Sequence, residues 1–180
     1  MFPVVRLLGA RIAAAIAVGS ALAAGGASAA TTKSPTPAQI RAAVNRAIHS
    51  KQVWSTVNIC NSKHHPDTIG IRGQMPSLGF PSSLSMDVQV DYWNYSAKQF
   101  EPDPGVRQTL LLGDPSNQIV QGGATFRFKP PAVLSGTITF EWKLHGKVIG
   151  SKRRATGGGH HSAKYGDPPG YSSNDCFMNP

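Results

Sequence analysis

From Lys51 onward, apolar and polar side chains alternate instead of recurring at helical spacing, which predicts β-strands separated by turns. The clearest run is Ser85 to Tyr95, where Met86, Val88, Val90 and Tyr92 alternate with Asp87, Gln89, Asp91 and Trp93. Ser135 to His145 repeats the pattern, with Ile138, Phe140, Trp142 and Leu144 on one side and Thr137, Thr139, Glu141, Lys143 and His145 on the other. One face of each strand should be buried and the other wet. Val53 to Cys60, Thr68 to Gln74, Leu110 to Leu112, Ile119-Val120, Ala124 to Phe128, Lys147 to Thr156 and a last edge strand, Asp175 to Met178, read as further strands. Turn chemistry separates them: Asn61 to Asp67, Gln74 to Ser83, Pro102 to Gly105, Gly113 to Asn117, Gly122-Gly123, Pro130-Pro131, His145-Gly146 and the glycine- and proline-rich stretch from Gly157 to Asn174.

One segment has the helical period. Thr36-Pro37-Ala38-Gln39 fits a capping box with proline at the first helical position. Ile40, Ala43, Val44, Ala47 and Ile48 then form a thin apolar stripe, which predicts a short amphipathic helix from about Pro37 to Ser50. About seven or eight short strands with frequent turns, no repeat and no βαβ alternation favour an all-β, antiparallel β-sandwich with a short N-terminal helix, with an open barrel as the competitor.

The first residues belong to a different pattern. Arg6 and Arg11 precede a short apolar stretch, Ile12 to Ala24, and Ala27-Ser28-Ala29 is a small-x-small cleavage site. These features predict a signal peptide over 1–29, a linker and helix over 30–50 and the sandwich over 51–180. The expected location is secreted and extracellular. The apolar run falls short of a bilayer span, and no later segment reaches one, so no membrane span is expected once the leader is cut. Cleavage removes Arg6 and Arg11, taking the formal net charge from +9 to +7. In an oxidising compartment the two cysteines, Cys60 and Cys176, are expected to form the single possible disulfide and to tie the C-terminus to an early strand.

The strands from Gly122 to Thr156 carry a resemblance. Ala124-Thr125-Phe126-Arg127-Phe128, Gly136 to Trp142 and Gly146-Lys147-Val148-Ile149 resemble the late strands of secreted immunoglobulin-like domains. The whole chain, with runs such as Thr56 to Cys60 and Asp167 to Ser172, is similar to secreted proteins of high-GC bacteria. The resemblance implies an immunoglobulin-like sandwich and brings no activity with it. Two departures stand out: Cys176 lies at the extreme C-terminus, and no tyrosine occupies the expected corner position.

Candidate chemistry falls in four groups. Lys143, Lys147, Lys152, Arg153 and Arg154 lie on one predicted hairpin, with Arg127 and Lys129 on a strand expected nearby. A positive sheet surface of this kind attracts polyanions. For an exported protein the partners would be anionic cell-envelope polymers or acidic glycans. Nucleic acid is not expected, because aromatics are not interleaved with the basic residues. His64-His65 and His160-His161 are loop pairs that would hold a metal only if they met in space; no cofactor is expected. Serines lack a nucleophile elbow, and paired carboxylates are sparse among nine acids. Trp142 reads as core, and Trp93 as a packing contact of the second sheet in preference to a sugar-stacking residue. The reading is therefore an exported structural or binding module; the alternative is a small secreted hydrolase or metal-dependent enzyme using loop histidines.

Overall fold

In the computed structural model, residues 34–179 are described; the expected leader lies outside them. Helix α1 spans Pro37–Ile48. Thr36 caps it: its hydroxyl accepts from the Gln39 backbone N–H, while the Gln39 side chain accepts from the Thr36 N–H. Eight strands follow: β1 Trp54–Ser62, β2 His65–Pro76, β3 Ser83–Asn94, β4 Gln99–Leu111, β5 Ile119–Arg127, β6 Ala132–Leu144, β7 Lys147–Ala155 and β8 Cys176–Met178.

They form two antiparallel sheets, β1-β2-β5 and β4-β3-β6-β7, with β8 pairing the first residues of β6. The chain changes sheet between β2 and β3, β4 and β5, and β5 and β6. These crossings give a Greek-key β-sandwich, with β4 on the larger sheet. The alternation seen in the sequence is the physical cause. Met86, Val88 and Val90 of β3 and Ile138, Phe140 and Trp142 of β6 are fully buried, facing Ile69 and Ile71 of β2. Trp142 Nε1 donates to the Pro76 carbonyl at 2.7 Å, joining the two sheets at one end of the core.

Four local expectations change. The predicted loop Asn61–Asp67 is a tight hairpin, with Ser62 paired to His65 and only Lys63-His64 between them. Asn61 and Asp67 absorb the irregular register at positive φ, and Asn61 Oδ1 accepts from the Asp67 N–H. Pro102-Asp103-Pro104-Gly105 is not a turn between strands. It lies in a bulge within β4, opposite Gln89 and Asp91, and the Gln89 amide donates to the carbonyls of Asp103 and Val106. Gly122-Gly123 does not end a strand; β5 runs through both. A Cβ at Gly122 would come within 2.8 Å of Leu112, so glycine is what lets the strand lie this close to its neighbours. Last, β2 extends to Pro76, shortening the predicted Gln74–Ser83 loop.

Cys60 and Cys176 form the disulfide, tying β1 to β8 across 116 residues of chain. The segment before β8 then runs along the outer edge of β1. Val57 and Ser173 exchange both backbone hydrogen bonds at 3.0 Å, and Asn58 Nδ2 donates to the carbonyls of Lys164 and Tyr165. An edge that would otherwise offer unpaired amides is covered.

Candidate functional site

The histidine pairs lie at opposite ends of β1. His160 stacks on Trp54, ring centroids 4.6 Å apart, where the strand begins. His64 and His65 belong to the hairpin after Ser62. Eight residues of extended chain separate these ends, about 26 Å, so the four imidazoles do not gather around one ion. No group of three or more His, Cys, Asp or Glu side chains suited to a metal occurs among the described residues. Burial, reinforced by neighbouring His161, pushes the His160 pKa down. His161 Nδ1 lies 2.8 Å from the Gly170 carbonyl.

Ser62, His64 and Asp167 do come together, in an order unsuited to catalysis. The Ser62 hydroxyl donates to the Asp167 carboxylate, and His64 Nδ1 sits 3.3 Å from the same group. A nucleophilic serine needs a base to accept its proton, with the acid behind the base. Here the serine is bonded directly to the acid. Its hydrogen bond is the largest influence holding the Asp167 pKa below the usual carboxylate range. The cluster fastens the C-terminal segment to the β1–β2 hairpin.

The basic residues divide by strand and by face. Arg127 is exposed on the outer face of the smaller sheet, across from Thr68, and Lys129 follows just beyond the strand end. Neither shares a sheet with the hairpin cations. Lys143 is held by Glu141, Nζ to Oε2 at 2.9 Å. On β7, Lys152 pairs with Phe140 and Arg154 with Ile138, so both project on the side of the sheet that carries the core, at its rim. Arg153 pairs with Thr139 and projects outward. Lys147 is exposed beside the His145-Gly146 turn, whose two residues both have positive φ.

Further cations come from α1. The helix packs on β7 at one point of close approach: a Cβ on Gly150 would stand 2.6 Å from Val44 Cγ1, so only glycine lets the helix sit this near. This docking places Arg41 and Arg46 on the element next to Lys147, Lys152, Arg153 and Arg154. Neither α1 nor β7 contains an Asp or Glu. None of these six cations forms an ion pair among the described residues, whose pairs are His64–Asp167, Arg107–Asp87 and Lys143–Glu141. The signal was present in the sequence as an acid-free helix; what was missing was the strand it rests on.

Trp93 also departs from expectation. It lies on the outer face of the larger sheet, away from the smaller sheet, in edge-to-face contact with Phe100 at 5.1 Å. It is therefore not a contact between the sheets.

No protein-family model matches the chain, and no curated protein matches it. Among solved structures, a glycosyl hydrolase family 2 member from Bacteroides cellulosilyticus DSM 14838 is similar at TM-score 0.36, with 9% identity over 61% of this chain and 15% of that one. A putative beta-galactosidase from Bacteroides fragilis is similar at TM-score 0.33, with 11% identity over 60% of this chain and 16% of that one. A Pseudomonas fluorescens alkylpurine DNA glycosylase has TM-score 0.27 and 14% identity over 64% of this chain and 33% of its own. The chain thus spans less than a fifth of the first two structures, and at these scores none of the three bears on activity.

Proposed function

We propose that this protein is an exported, non-enzymatic binding module that holds anionic polymers of the cell exterior against the face formed by α1 and β7. The observation that carries the reading is the set Arg41, Arg46, Lys147, Lys152, Arg153 and Arg154, on two packed elements with no acid in either. Unpaired cations concentrated on two packed elements at one edge of the sandwich produce a field that steers a polyanion and that salt screens. Export is supported by the Arg-flanked apolar leader and by a disulfide of the kind that persists in oxidising compartments. No helix among the described residues is long and apolar enough to cross a membrane.

The test is binding of the secreted form to heparin and to a glycerol-phosphate polymer, measured by calorimetry at two ionic strengths. Lys152→Glu together with Arg154→Glu, whose side chains project on the same side of β7 as α1, should weaken both by roughly tenfold or more, since two charges are reversed where the polymer lies. Arg127→Glu with Lys129→Glu, on the other sheet, should change little. Raising salt from about 0.05 to about 0.5 M should remove most of the affinity, because the screening length falls from more than 10 Å to less than 5 Å. Binding that ignores salt, or that both variant pairs weaken equally, would overturn the reading.

A further inference from the structure

A separate surface has the opposite chemistry. At the other end of the larger sheet, on its outer face, Trp93, Tyr95, Phe100, Val133, Phe177 and Asp175 line a cleft of about 310 Å³. Phe177 is 62% and Tyr95 74% exposed, unusual for aromatics in contact with one another's neighbourhood and with no layer packed above them. The strands explain the arrangement. Phe100 is the β4 partner of Trp93, and Phe177 of β8 is the partner of Val133 on β6, so two adjacent strand pairs present apolar side chains on the same face.

Asp175 is the acid of this cleft, and it differs from two acids elsewhere on the sheet. Asp87 is paired with Arg107 and Glu141 with Lys143. Asp175 has neither an ion pair nor a side-chain hydrogen bond among the described residues, although cations outnumber acids two to one along the chain. Burial alone raises its pKa, as expected for a carboxylate with no counter-charge.

We propose that this cleft binds the quaternary ammonium group of a small solute, with the aromatic walls facing the alkylated cation and Asp175 supplying the countercharge. Aromatic faces attract such cations through their quadrupoles, and the attraction grows when both are desolvated. The competing ligand classes fit the lining less well. A sugar needs several directional partners for its hydroxyls, and the walls offer one carboxylate, one phenol and one indole N–H. A primary ammonium brings three N–H donors and a guanidinium five, which one carboxylate leaves largely unmatched. An alkylated ammonium has no donor to satisfy. The site is independent of the basic face, so either can fail without the other.

The experiment is protein-observed NMR with choline as the probe, following the Trp93 indole, against 3,3-dimethylbutan-1-ol, its neutral isostere. The expected result is saturable movement of the Trp93 signal in the millimolar range of choline, with the isostere weaker by roughly tenfold or more. Asp175→Asn should shrink that difference severalfold, leaving the part owed to the aromatic walls, and Asp175→Glu should keep more of it. The Asp175 side chain bonds no other group, so neither variant is expected to unfold the protein. Equal binding of choline and the alcohol, no response of Trp93 to choline, or tighter response to cellobiose than to choline would each overturn the proposal. Uptake onto phosphatidylcholine vesicles without any response to free choline would overturn its small-solute form.

Discussion

Replacing Cys60 and Cys176 together with serine is expected to lower the unfolding free energy by about 4 kcal/mol. The bridge spans 116 residues of sequence. The chain-entropy argument gives roughly 4–5 kcal/mol for a closed loop of that size, as the upper end of what such links contribute. A domain of this kind has about 5–15 kcal/mol in total, so a large share of its stability rests on one bond. The loss should be visible beyond the termini, because β8 carries Cys176 and Met178, both buried, and pairs with Leu134 in the core. Equilibrium denaturation of the oxidised, reduced and serine forms measures it. A midpoint that hardly moves would mean that backbone pairing of the final segment with β1 and β6 suffices alone. The same measurement under reducing conditions bears on location, since a protein so dependent on its bridge is suited to an oxidising exterior.

The second large effect is expected at Trp142. Its side chain is fully buried in β6, and its indole N–H donates to Pro76 O at the end of β2. Trp142→Ala should cost about 3–5 kcal/mol from lost burial and the cavity left behind. The orphaned carbonyl adds to that cost if water cannot reach it. Trp142→Phe separates the two contributions: it keeps most of the apolar contact and loses the hydrogen bond, and should cost about 1–2 kcal/mol. Urea denaturation with both variants reads the difference directly. An alanine variant as stable as the phenylalanine variant would remove Trp142 from the centre of the core.

These two sites mark what alternation and composition could reveal. Strands β3 and β6 were legible because one face of each is wet and the other wholly dry, which forces period-two patterning on the sequence. The helix was legible because its cap is local chemistry, confined to Thr36 and Gln39. The Cys60–Cys176 pairing followed from having only two cysteines. Less legible were features decided by partners distant in sequence. Pro102 to Gly105 looks like a turn in any sequence window, but Gln89 of the neighbouring strand accommodates it as a bulge. Gly122 and Gly123 look like a break, yet they are needed for close packing against Leu112 and β2.

The candidate sites follow the same division. Adjacent basic residues on β7 were visible, but strand alternation sends Arg153 one way and Lys152 and Arg154 the other. What brings Arg41 and Arg46 beside the cations of β7 is the docking of α1 through Val44 onto Gly150, a contact between residues over a hundred positions apart. The histidine pairs, conspicuous in the sequence, are separated by the length of β1. Trp93 and Phe177, unremarkable in their own windows, meet at one cleft because β3, β6 and β8 are neighbours.

The central claim is that α1 and β7 together form the surface on which a polyanion rests. Amide chemical-shift mapping of the secreted form during titration with a short heparin oligosaccharide tests it most directly. The account predicts that the largest shifts fall in Pro37–Ile48 and Lys147–Ala155 and fade together as salt is added. Shifts centred instead on Arg127 and Lys129, or spread evenly over the exposed lysines and arginines, would contradict it.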